Sequence, residues 1–447
     1  MDLLSREYSN AHAWRDALFL RDRGSILGSP LAERKKKHHV FLRLGVIDSW
    51  MRYYDYQSIM ANQNLSNAKT AKNDEFYTQY ADIQKEINAY LDYDKNMFRG
   101  KTVLLPCDDP EWSNFTKFFA QNFELLGLKK LISTSYAPES KKYKIPYQPT
   151  LFETIQPYYS PDKTKTHGKI FILERDITGD NRINIDDLEW QYLEGDGDFR
   201  SDEIKALRDE ADIIVTNPPF SLFREFIGWL VEADKKFIII GNMNAITYKE
   251  VFPLIKQNKT WMGATGFVTD MVFGVPDSFV VKESDKRKAE KLGYIGNYTR
   301  LGNSCWFTNI DHGRRHEPLQ LMTMADNYKY SKHKDIKERK EYLQYDNYDA
   351  IEVPFTDAIP SDYEGIMGVP ISFLDKYCPE QFEIMGMCEN EDLYNLKTKV
   401  YTTVECKQAY IDKFGKIGTY DLNASGVVLR DGIKDKVYQR ILIRKKQ

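Results

Sequence analysis

Asp212-Ile213-Ile214-Val215-Thr216-Asn217-Pro218-Pro219-Phe220 is the stretch that decides the fold of this chain. Its aliphatic run predicts a buried parallel strand, because strands covered on both faces are continuously hydrophobic. Asn-Pro-Pro then ends the strand in a stiff loop, since proline fixes φ and donates no backbone hydrogen bond. Open α/β sheets bind their ligands at the carboxyl ends of such strands. The stretch therefore predicts an α/β sheet with a site beside Asn217.

The residues of this loop suit a planar amino group. The Asn217 side-chain oxygen and the Pro218 carbonyl can each accept a hydrogen bond, and the Phe220 ring offers a face for stacking. The exocyclic amine of a nucleobase has two hydrogens to donate and belongs to a flat ring. A plain turn after a strand explains the same residues equally well, so the rest of the chain has to decide.

Composition indicates a globular protein. The chain has 447 residues, 42% of them hydrophobic and 29% charged, which is enough for two or three domains. Its net charge of −3 provides no global basic field, so a nucleic-acid surface has to be local. The five cysteines form no C-x-x-C pair, which argues against a disulfide framework and against a metal site. We expect a cytoplasmic protein that has neither a membrane span nor a metal.

The order of elements around the opening stretch predicts a doubly wound α/β domain with helices on both faces. An apolar run at 102–105 ends at Asp108 and Asp109, and a second one covers 131–135. A β-pair around 169–193 leads to the Gly-Asp-Phe turn at 197–199. Carboxylates beyond strand ends can hold ribose hydroxyls or an ammonium group, although a helix cap explains the Asp pair as well.

The ordered motifs resemble those of the EcoRI family of adenine-specific DNA methyltransferases, over about residues 66 to 385. The resemblance is carried by Asp74-Glu75-Phe76-Tyr77-Thr78-Gln79, Cys107-Asp108-Asp109-Pro110, Ser113-Asn114-Phe115, Gly197-Asp198-Phe199-Arg200-Ser201 and Thr216-Asn217-Pro218-Pro219-Phe220-Ser221. It implies a Rossmann-like class I methyltransferase sheet, followed by an α+β region for target recognition. It also implies methyl transfer from S-adenosylmethionine to N6 of an adenine that is flipped out of the duplex.

The resemblance also assigns residues to roles. The cofactor would lie against Phe76, Tyr77, Thr78, Cys107, Asp108, Asp109, Asp198 and Phe199, and the target base against Asn217, Pro218, Pro219 and Phe220. The turn at Cys107 replaces the glycine-rich turn of most adenine methyltransferases. This difference leaves open whether Asp108 or Asp109 contacts the cofactor.

Three segments are predicted. Residues 1–65 form a polar, partly basic extension, 66–312 the catalytic domain with an insertion at about 138–194, and 313–447 a target-recognition region. Two stretches after residue 312 carry cations next to tyrosines, which favours DNA phosphate contacts by Arg314, Arg315, Lys332, Lys334 and Lys337. Solvated helix faces are the alternative explanation for these cations.

The expected partner is double-stranded DNA, in the nucleoid, with a separate restriction endonuclease as a further partner in a restriction-modification or phage/host defence system. Two other functions are compatible with the residues. A glutamine amide of a protein, or a base in RNA, also presents a planar amino group to such a loop. A DNA-binding protein on a catalytically inactive scaffold would show the same motifs without turnover.

Overall fold

The structure is a computed structural model, and it describes residues 77–109, 113–137, 154, 158–184, 187–267, 271–275, 281–300 and 303–446. All of these residues belong to the unit Ser66–Gln447. The predicted extension 1–65, Phe76 and most of 138–157 lie outside the described residues. What the sequence predicts for them stays a prediction.

Short runs of aliphatic and aromatic residues form a mixed sheet of eight strands, in the order β5-β4-β3-β2-β6-β7-β11-β8. The strands are β2 (Thr102–Leu105), β3 (Lys130–Thr134), β4 (Lys169–Leu173), β5 (Glu189–Tyr192), β6 (Ile213–Thr216), β7 (Lys236–Asn242), β8 (Trp261–Met262) and β11 (Ser304–Thr308). Strands β3, β2, β6 and β7 run parallel to one another. Strand β4 is antiparallel to both β3 and β5, and β11 is antiparallel to both β7 and β8. The predicted α/β fold on a large sheet is confirmed, and only the middle of that sheet is parallel.

Smaller sheets complete the described chain. Their strands are β1 (Tyr77–Thr78), β9 (Val272–Gly274), β10 (Tyr298–Arg300), β12 (Ile351–Glu352), β13 (Met367–Pro370), β14 (Phe382–Met387), β15 (Val427–Arg430), β16 (Ile433–Lys436) and β17 (Arg440–Lys445). They form a three-stranded sheet β1-β9-β10, a four-stranded sheet β12-β13-β17-β14 and the pair β15-β16.

Eleven α-helices are described. They are α1 (Tyr80–Tyr93), α2 (Asn114–Gln121), α3 (Phe123–Leu126), α4 (Lys163–Thr166), α5 (Asp202–Glu210), α6 (Phe223–Glu232), α7 (Phe252–Lys256), α8 (Glu283–Lys291), α9 (Met324–Tyr330), α10 (Lys334–Arg339) and α11 (Thr403–Phe414). Serine residues cap the amino ends of α2 and α5, which flank the central sheet. The hydroxyl of Ser113 accepts a hydrogen bond from the Phe115 amide, and the hydroxyl of Ser201 accepts one from the Ile204 amide.

The parallel strands are covered on both faces, because successive side chains point to opposite sides. Val103, Ile213 and Ile238 pack with α1, α2 and α3 in one core, whereas Leu104 and Ile214 pack with α5 and α6 in another. Burying each aliphatic side chain contributes about 1.5–3 kcal/mol. This two-sided burial explains why the strand residues read as unbroken hydrophobic runs.

One face of the four-stranded sheet packs into the same core as α6. Met367, Ile384 and Ile443 are buried together with Phe223 and Phe226 of that helix. The last strand of the described chain, β17, lies inside this sheet between β13 and β14. The predicted boundary between 312 and 313 therefore crosses a shared core, and the division into two domains stays a prediction.

The segment between β8 and β11 leaves the central sheet at its carboxyl edge. Strand β8 runs parallel to β7, since both are antiparallel to β11, and β11 begins at the same edge where β8 ends. Residues 261–262 and 304–308 extend the central sheet, whereas 272–274 lie outside it. Instead β9 pairs with β1 and β10, because β11 already occupies the edge of β7.

Candidate active site

The ends of β2 and β6 meet at the carboxyl edge of the sheet. The two strands are parallel neighbours with Leu104 opposite Ile214, so the turn after β2 and the loop after β6 begin side by side. The Thr216 hydroxyl donates a hydrogen bond of 2.6 Å to the Asp108 carboxylate across this gap. The acidic turn and the Asn-Pro-Pro-Phe loop are therefore joined directly.

Asp108 is a buried carboxylate, 6% exposed, that holds three elements together. Its second oxygen accepts a bond of 2.7 Å from the hydroxyl of Ser113, which begins α2. Its backbone carbonyl accepts a bond of 2.6 Å from the hydroxyl of Ser133 at the end of β3. Hydroxyl donors at both carboxylate oxygens compensate for the lost hydration of this group.

Asp109 is only partly buried, so its carboxylate is the more accessible of the pair. Its backbone carbonyl accepts the Ser113 amide at 2.7 Å. The partly buried Lys117 lies one turn into α2. Burial lowers the pKa of the Lys117 ammonium to about 8, and the Asp109 carboxylate opposes that shift. An acid and a base thus sit together beside the end of β2.

The carboxamide of Asn217 is held by β1. Its nitrogen donates to the Thr78 hydroxyl at 3.3 Å, and the Thr78 carbonyl accepts the Asn114 side-chain nitrogen at 2.7 Å. Thr78 itself is buried. Because the nitrogen end of the carboxamide is directed at Thr78, the oxygen end faces away from that hydroxyl.

The loop after Asn217 is ordered by its own backbone. Pro218 is buried, and the Pro219 carbonyl accepts the Leu222 amide at 2.9 Å in a short 3₁₀ turn, Phe220–Leu222. The half-buried Phe220 ring packs against the core that contains α1 and α2. This packing fixes the ring beside Asn217 and leaves part of it exposed.

The Gly-Asp-Phe turn lies at the same edge, beside the end of β3. Gly197 has φ +81, and a Cβ there would meet the Ser135 carbonyl oxygen at 2.2 Å, so only glycine fits. Hydrogen bonds from the Arg200 guanidinium, at 2.7 and 2.9 Å, hold the pKa of the Asp198 carboxyl below its usual range. Phe199 is 5% exposed and packs at steep angles against Phe226 and Trp229. A ligand would reach only the rim of that ring.

Tyr77 and Cys107 are both half-buried at this edge. Tyr77 lies in β1, where it pairs with Gly274. The Cys107 side chain packs against the core on the α6 face. Their predicted contacts with a cofactor stay predictions, as does that of Phe76.

The predicted DNA-binding cations divide into two groups. Arg314 forms an ion pair of 2.6 Å with Asp375, and the guanidinium of Arg315 lies 3.7 Å from the centre of the Trp261 ring. Internal partners thus occupy both arginines. By contrast, Lys332, Lys334 and Lys337 are exposed at and before α10, with Lys332 paired to Asp357 at 2.7 Å. The lysines remain the better candidates for phosphate contacts.

The sequence analysis missed three side chains of this site: Ser113, Lys117 and Thr216. Thr216 belongs to the stretch Asp212–Phe220. Its hydroxyl ends one strand and the Asp108 carboxylate follows the neighbouring strand, and this arrangement could have indicated the hydrogen bond between them. Lys117 is a lone cation in an aromatic helix, which also marks it as unusual. Only the fold could show that each of these residues lies beside the Asp108-Asp109 turn.

The described residues show neither a membrane span nor a metal-binding cluster. Within those ranges no helix is long and apolar enough to cross a membrane. The same residues contain no cluster of His, Cys, Asp or Glu side chains that could hold a metal ion.

Comparison with known proteins identifies relatives of this chain. The family profile described as "Adenine-specific methyltransferase EcoRI" matches residues 64–446. The Type II methyltransferase M.EcoRI of Escherichia coli is 41% identical over 338 residues, which are 74% of this chain and 91% of that protein. M.MpnI of Mycoplasma pneumoniae is 34% identical over 340 residues, covering 75% and 90%. M.MgeORF184P of Mycoplasma genitalium is 33% identical over 341 residues, covering 76% and 91%.

No solved structure matches the chain. The family profile spans most of the sequence, and the alignment with M.EcoRI covers 91% of that protein. This chain therefore belongs to the EcoRI family of adenine-specific methyltransferases.

Proposed function

We propose that this enzyme transfers a methyl group from S-adenosylmethionine to N6 of an adenine flipped out of duplex DNA. The observation that carries the proposal is the hydrogen bond between Thr216 and Asp108, which joins the Asn-Pro-Pro-Phe loop to the acidic turn after β2. The chain order reverses between β2 and β6, and such switch points bind ligands in open α/β sheets. This arrangement supports a Rossmann-like class I methyltransferase sheet.

The loop after β6 would activate the amine of the target base. The lone pair of an adenine N6 is delocalised into the ring, so it is a weak nucleophile. Hydrogen bonds from N6–H to the Asn217 side-chain oxygen and to the Pro218 carbonyl favour a tetrahedral nitrogen whose lone pair points out of the ring plane. Stacking on Phe220 offsets part of the cost of about a few kcal/mol for leaving the duplex.

Asp109 and Lys117 would bind the methionine end of S-adenosylmethionine. That end is a zwitterion, and the carboxylate of Asp109 and the ammonium of Lys117, which interact electrostatically, offer one charge for each of its groups. When bound, the cofactor supplies a methyl group on a positively charged sulfur. Asp108 would position rather than bind, because it is buried and its two oxygens accept the hydroxyls of Thr216 and Ser113. Tyr77, Thr78, Cys107, Asp198 and Phe199 remain proposed neighbours of the cofactor.

Replacing Asp109 by asparagine is expected to weaken cofactor binding about tenfold, because one charge-assisted hydrogen bond is lost. Calorimetric titration with S-adenosylmethionine measures the dissociation constant. Asp202→Asn removes an exposed carboxylate at the start of α5 and should leave the constant unchanged. An unchanged constant in Asp109→Asn would assign the contact to another group.

Replacing Lys117 by methionine is expected to weaken cofactor binding and to reduce the rise of its dissociation constant at alkaline pH, leaving the part that comes from the α-amino group of the cofactor, which titrates at about pH 8. In the wild type the dissociation constant should rise as the pH passes about 8, because Lys117 then loses its proton. Thermal stability should be retained or improved, since the variant no longer buries an ammonium group. Equal alkaline profiles for both proteins would exclude this role for Lys117.

The substrate class is tested by incubating the enzyme with S-adenosylmethionine labelled in the methyl group and with DNA, RNA or protein. We expect label in DNA, as N6-methyladenine. Label only in RNA, or on a protein glutamine, would establish one of the alternative functions. Cofactor binding without transfer to any of them would indicate an inactive scaffold. Mapping N6-methyladenine in DNA from cells that express the protein then gives the recognised sequence.

The region after residue 312 is proposed to recognise that sequence, with Lys332, Lys334 and Lys337 contacting phosphates. Each phosphate contact should add to the salt dependence of binding, since bound cations are released from the DNA. A separate restriction endonuclease is the proposed functional partner, in keeping with relatives that are named Type II methyltransferases.

A further inference from the structure

The carboxyl edge of the central sheet carries two polar side chains that the proposed chemistry has not used. Asn242 is the last residue of β7, and it lies opposite Ser304, the first residue of β11. Strand β7 is the parallel neighbour of β6, with Ile239 opposite Thr216, so β7 continues past the point where β6 ends. Asn217 leaves the sheet at that point. Asn242 therefore lies at the same edge, on the strand beside the loop that holds Asn217.

Both side chains point to the face of the sheet that α1 and α2 cover. Side chains alternate along a strand, and Ile240 of β7 and Trp306 of β11 are buried in the core that contains those helices. Asn242 lies two residues after Ile240 in β7, and Ser304 lies two residues before Trp306 in β11. The alternation therefore directs Asn242 and Ser304 to that same face.

The Asn217 carboxamide lies on this face as well. It donates to the hydroxyl of Thr78 in β1, and Thr78 is opposite Phe273 of β9, which is buried in the same core as α1 and α2. Strands β6, β7 and β11 are neighbours in this order. At the carboxyl edge they thus place Asn217, Asn242 and Ser304 in a row on one face of the sheet.

Asn242 and Ser304 can both donate hydrogen bonds to a ligand. The Asn242 side-chain oxygen accepts the Asn244 backbone amide at 2.9 Å, so the side-chain nitrogen is the end left to donate. Ser304 is only 6% exposed, and its hydroxyl has no hydrogen-bond partner among the described residues. A buried hydroxyl without a partner is unfavourable, and a ligand with acceptor atoms would satisfy it. The edge beside Asn217 therefore suits a ligand that accepts hydrogen bonds.

Adenine presents such acceptors on both sides of its amine. Its ring nitrogens N1 and N7 flank N6, and each accepts a hydrogen bond, whereas the amine of cytosine has a ring nitrogen on one side only. The Asn217 oxygen and the Pro218 carbonyl would contact the amine alone, which both bases present. A donor next to Asn217 adds a contact with the ring that bears the amine.

We infer that Asn242 reads the target base, by donating a hydrogen bond from its side-chain nitrogen to N1 or N7 of the flipped adenine. The inference rests on the proposed function, because Asn217 has to hold N6 for the ring to lie beside Asn242. The Ser304 hydroxyl lies opposite Asn242 and can donate to the same base.

The test measures single-turnover methylation of DNA duplexes that contain the mapped recognition site, with adenine, 1-deazaadenine or 7-deazaadenine at the target position. Each analogue replaces one ring nitrogen by C–H and keeps N6. We expect the wild type to lose roughly tenfold on the analogue that lacks the contacted nitrogen, because one hydrogen bond is removed. Asn242→Ala should lose about as much on adenine, and no more than about twofold further on that analogue.

Two other variants separate this contact from a structural role. Asn242→Asp keeps the oxygen that accepts the Asn244 amide but has no N–H to donate, so it should be as insensitive to that analogue as Asn242→Ala. Asn244→Ala is the matched control, because it keeps the backbone amide that bonds Asn242. It should behave as wild type on all three duplexes.

A wild type that methylates both analogues at the rate of adenine overturns the inference. Asn242 variants that lose as much on the analogue as the wild type does would overturn it too, since their lower rate would then have a structural cause. If the wild type transfers no methyl group to adenine in DNA, the proposed function itself fails, an outcome that the unmodified duplex alone reveals.

Discussion

Replacing Asn217 by alanine is expected to lower turnover at least about a hundredfold, as deleting a hydrogen-bond partner of a transition state does elsewhere. The carboxamide oxygen is the proposed acceptor for N6, and the carboxamide nitrogen is the end that donates to the Thr78 hydroxyl. Cofactor binding should stay within about twofold, because the methionine end of the cofactor is proposed to bind Asp109 and Lys117 rather than Asn217. Single-turnover methylation and calorimetry with S-adenosylmethionine measure the two quantities.

A matched control is available at the same edge of the sheet. Asn244 is an exposed asparagine just beyond β7, and Asn244→Ala should retain near-normal turnover. Near-normal turnover in Asn217→Ala would remove this residue from the mechanism. Loss of cofactor binding together with turnover would instead point to a collapsed edge of the sheet.

Replacing Glu352 by alanine is expected to cost about 3–5 kcal/mol of unfolding free energy, because it leaves the buried Arg440 without its partner. The two side chains form an ion pair of 2.6 Å, and the Tyr345 hydroxyl donates to the same carboxylate. The Glu352 side chain is only 3% exposed. Solvent therefore cannot replace the lost charge, and urea unfolding should show a clearly lower midpoint.

The same four-stranded sheet offers a solvent-exposed control. Glu383 in β14 pairs with Arg444 in β17 at 2.9 Å, with both side chains 47% exposed. Glu383→Ala should cost at most about 1 kcal/mol, since water screens exposed ion pairs. Glu352→Leu combined with Arg440→Met should be less damaging than Glu352→Ala, because it leaves no buried charge. Equal losses for Glu352→Ala and Glu383→Ala would contradict this assignment.

Local patterns in the sequence predicted the framework of the fold and the loop of the site. Unbroken aliphatic runs marked β2 and β6, and Asn-Pro-Pro marked the end of β6, because burial and proline geometry act on neighbouring residues. The motif order further led to the family, which the comparisons confirm.

Long-range pairing accounts for what local patterns could not predict. The run at 271–273 has strand character, but its partners, β1 and β10, are set by which edges are already occupied. The charges of Arg314 and Arg315 suggested DNA, whereas the fold supplies Asp375 and Trp261 as internal partners. Asp108 and Asp109 are adjacent in the sequence, which does not distinguish their roles. The fold distinguishes them, because the hydroxyls of Ser113 and Thr216 both donate to Asp108.

The core shared between α6 and the four-stranded sheet bears on attempts to engineer new DNA specificity. Met367, Ile384 and Ile443 belong to one continuous buried core with Phe223 and Phe226, the α6 residues that follow the proposed catalytic loop. A C-terminal half grafted from a relative would bring side chains of other shapes against that helix, and mismatched cores commonly lose about 1–3 kcal/mol. Chimeras should therefore exchange both sides of this interface together, with the crossover placed in surface loops.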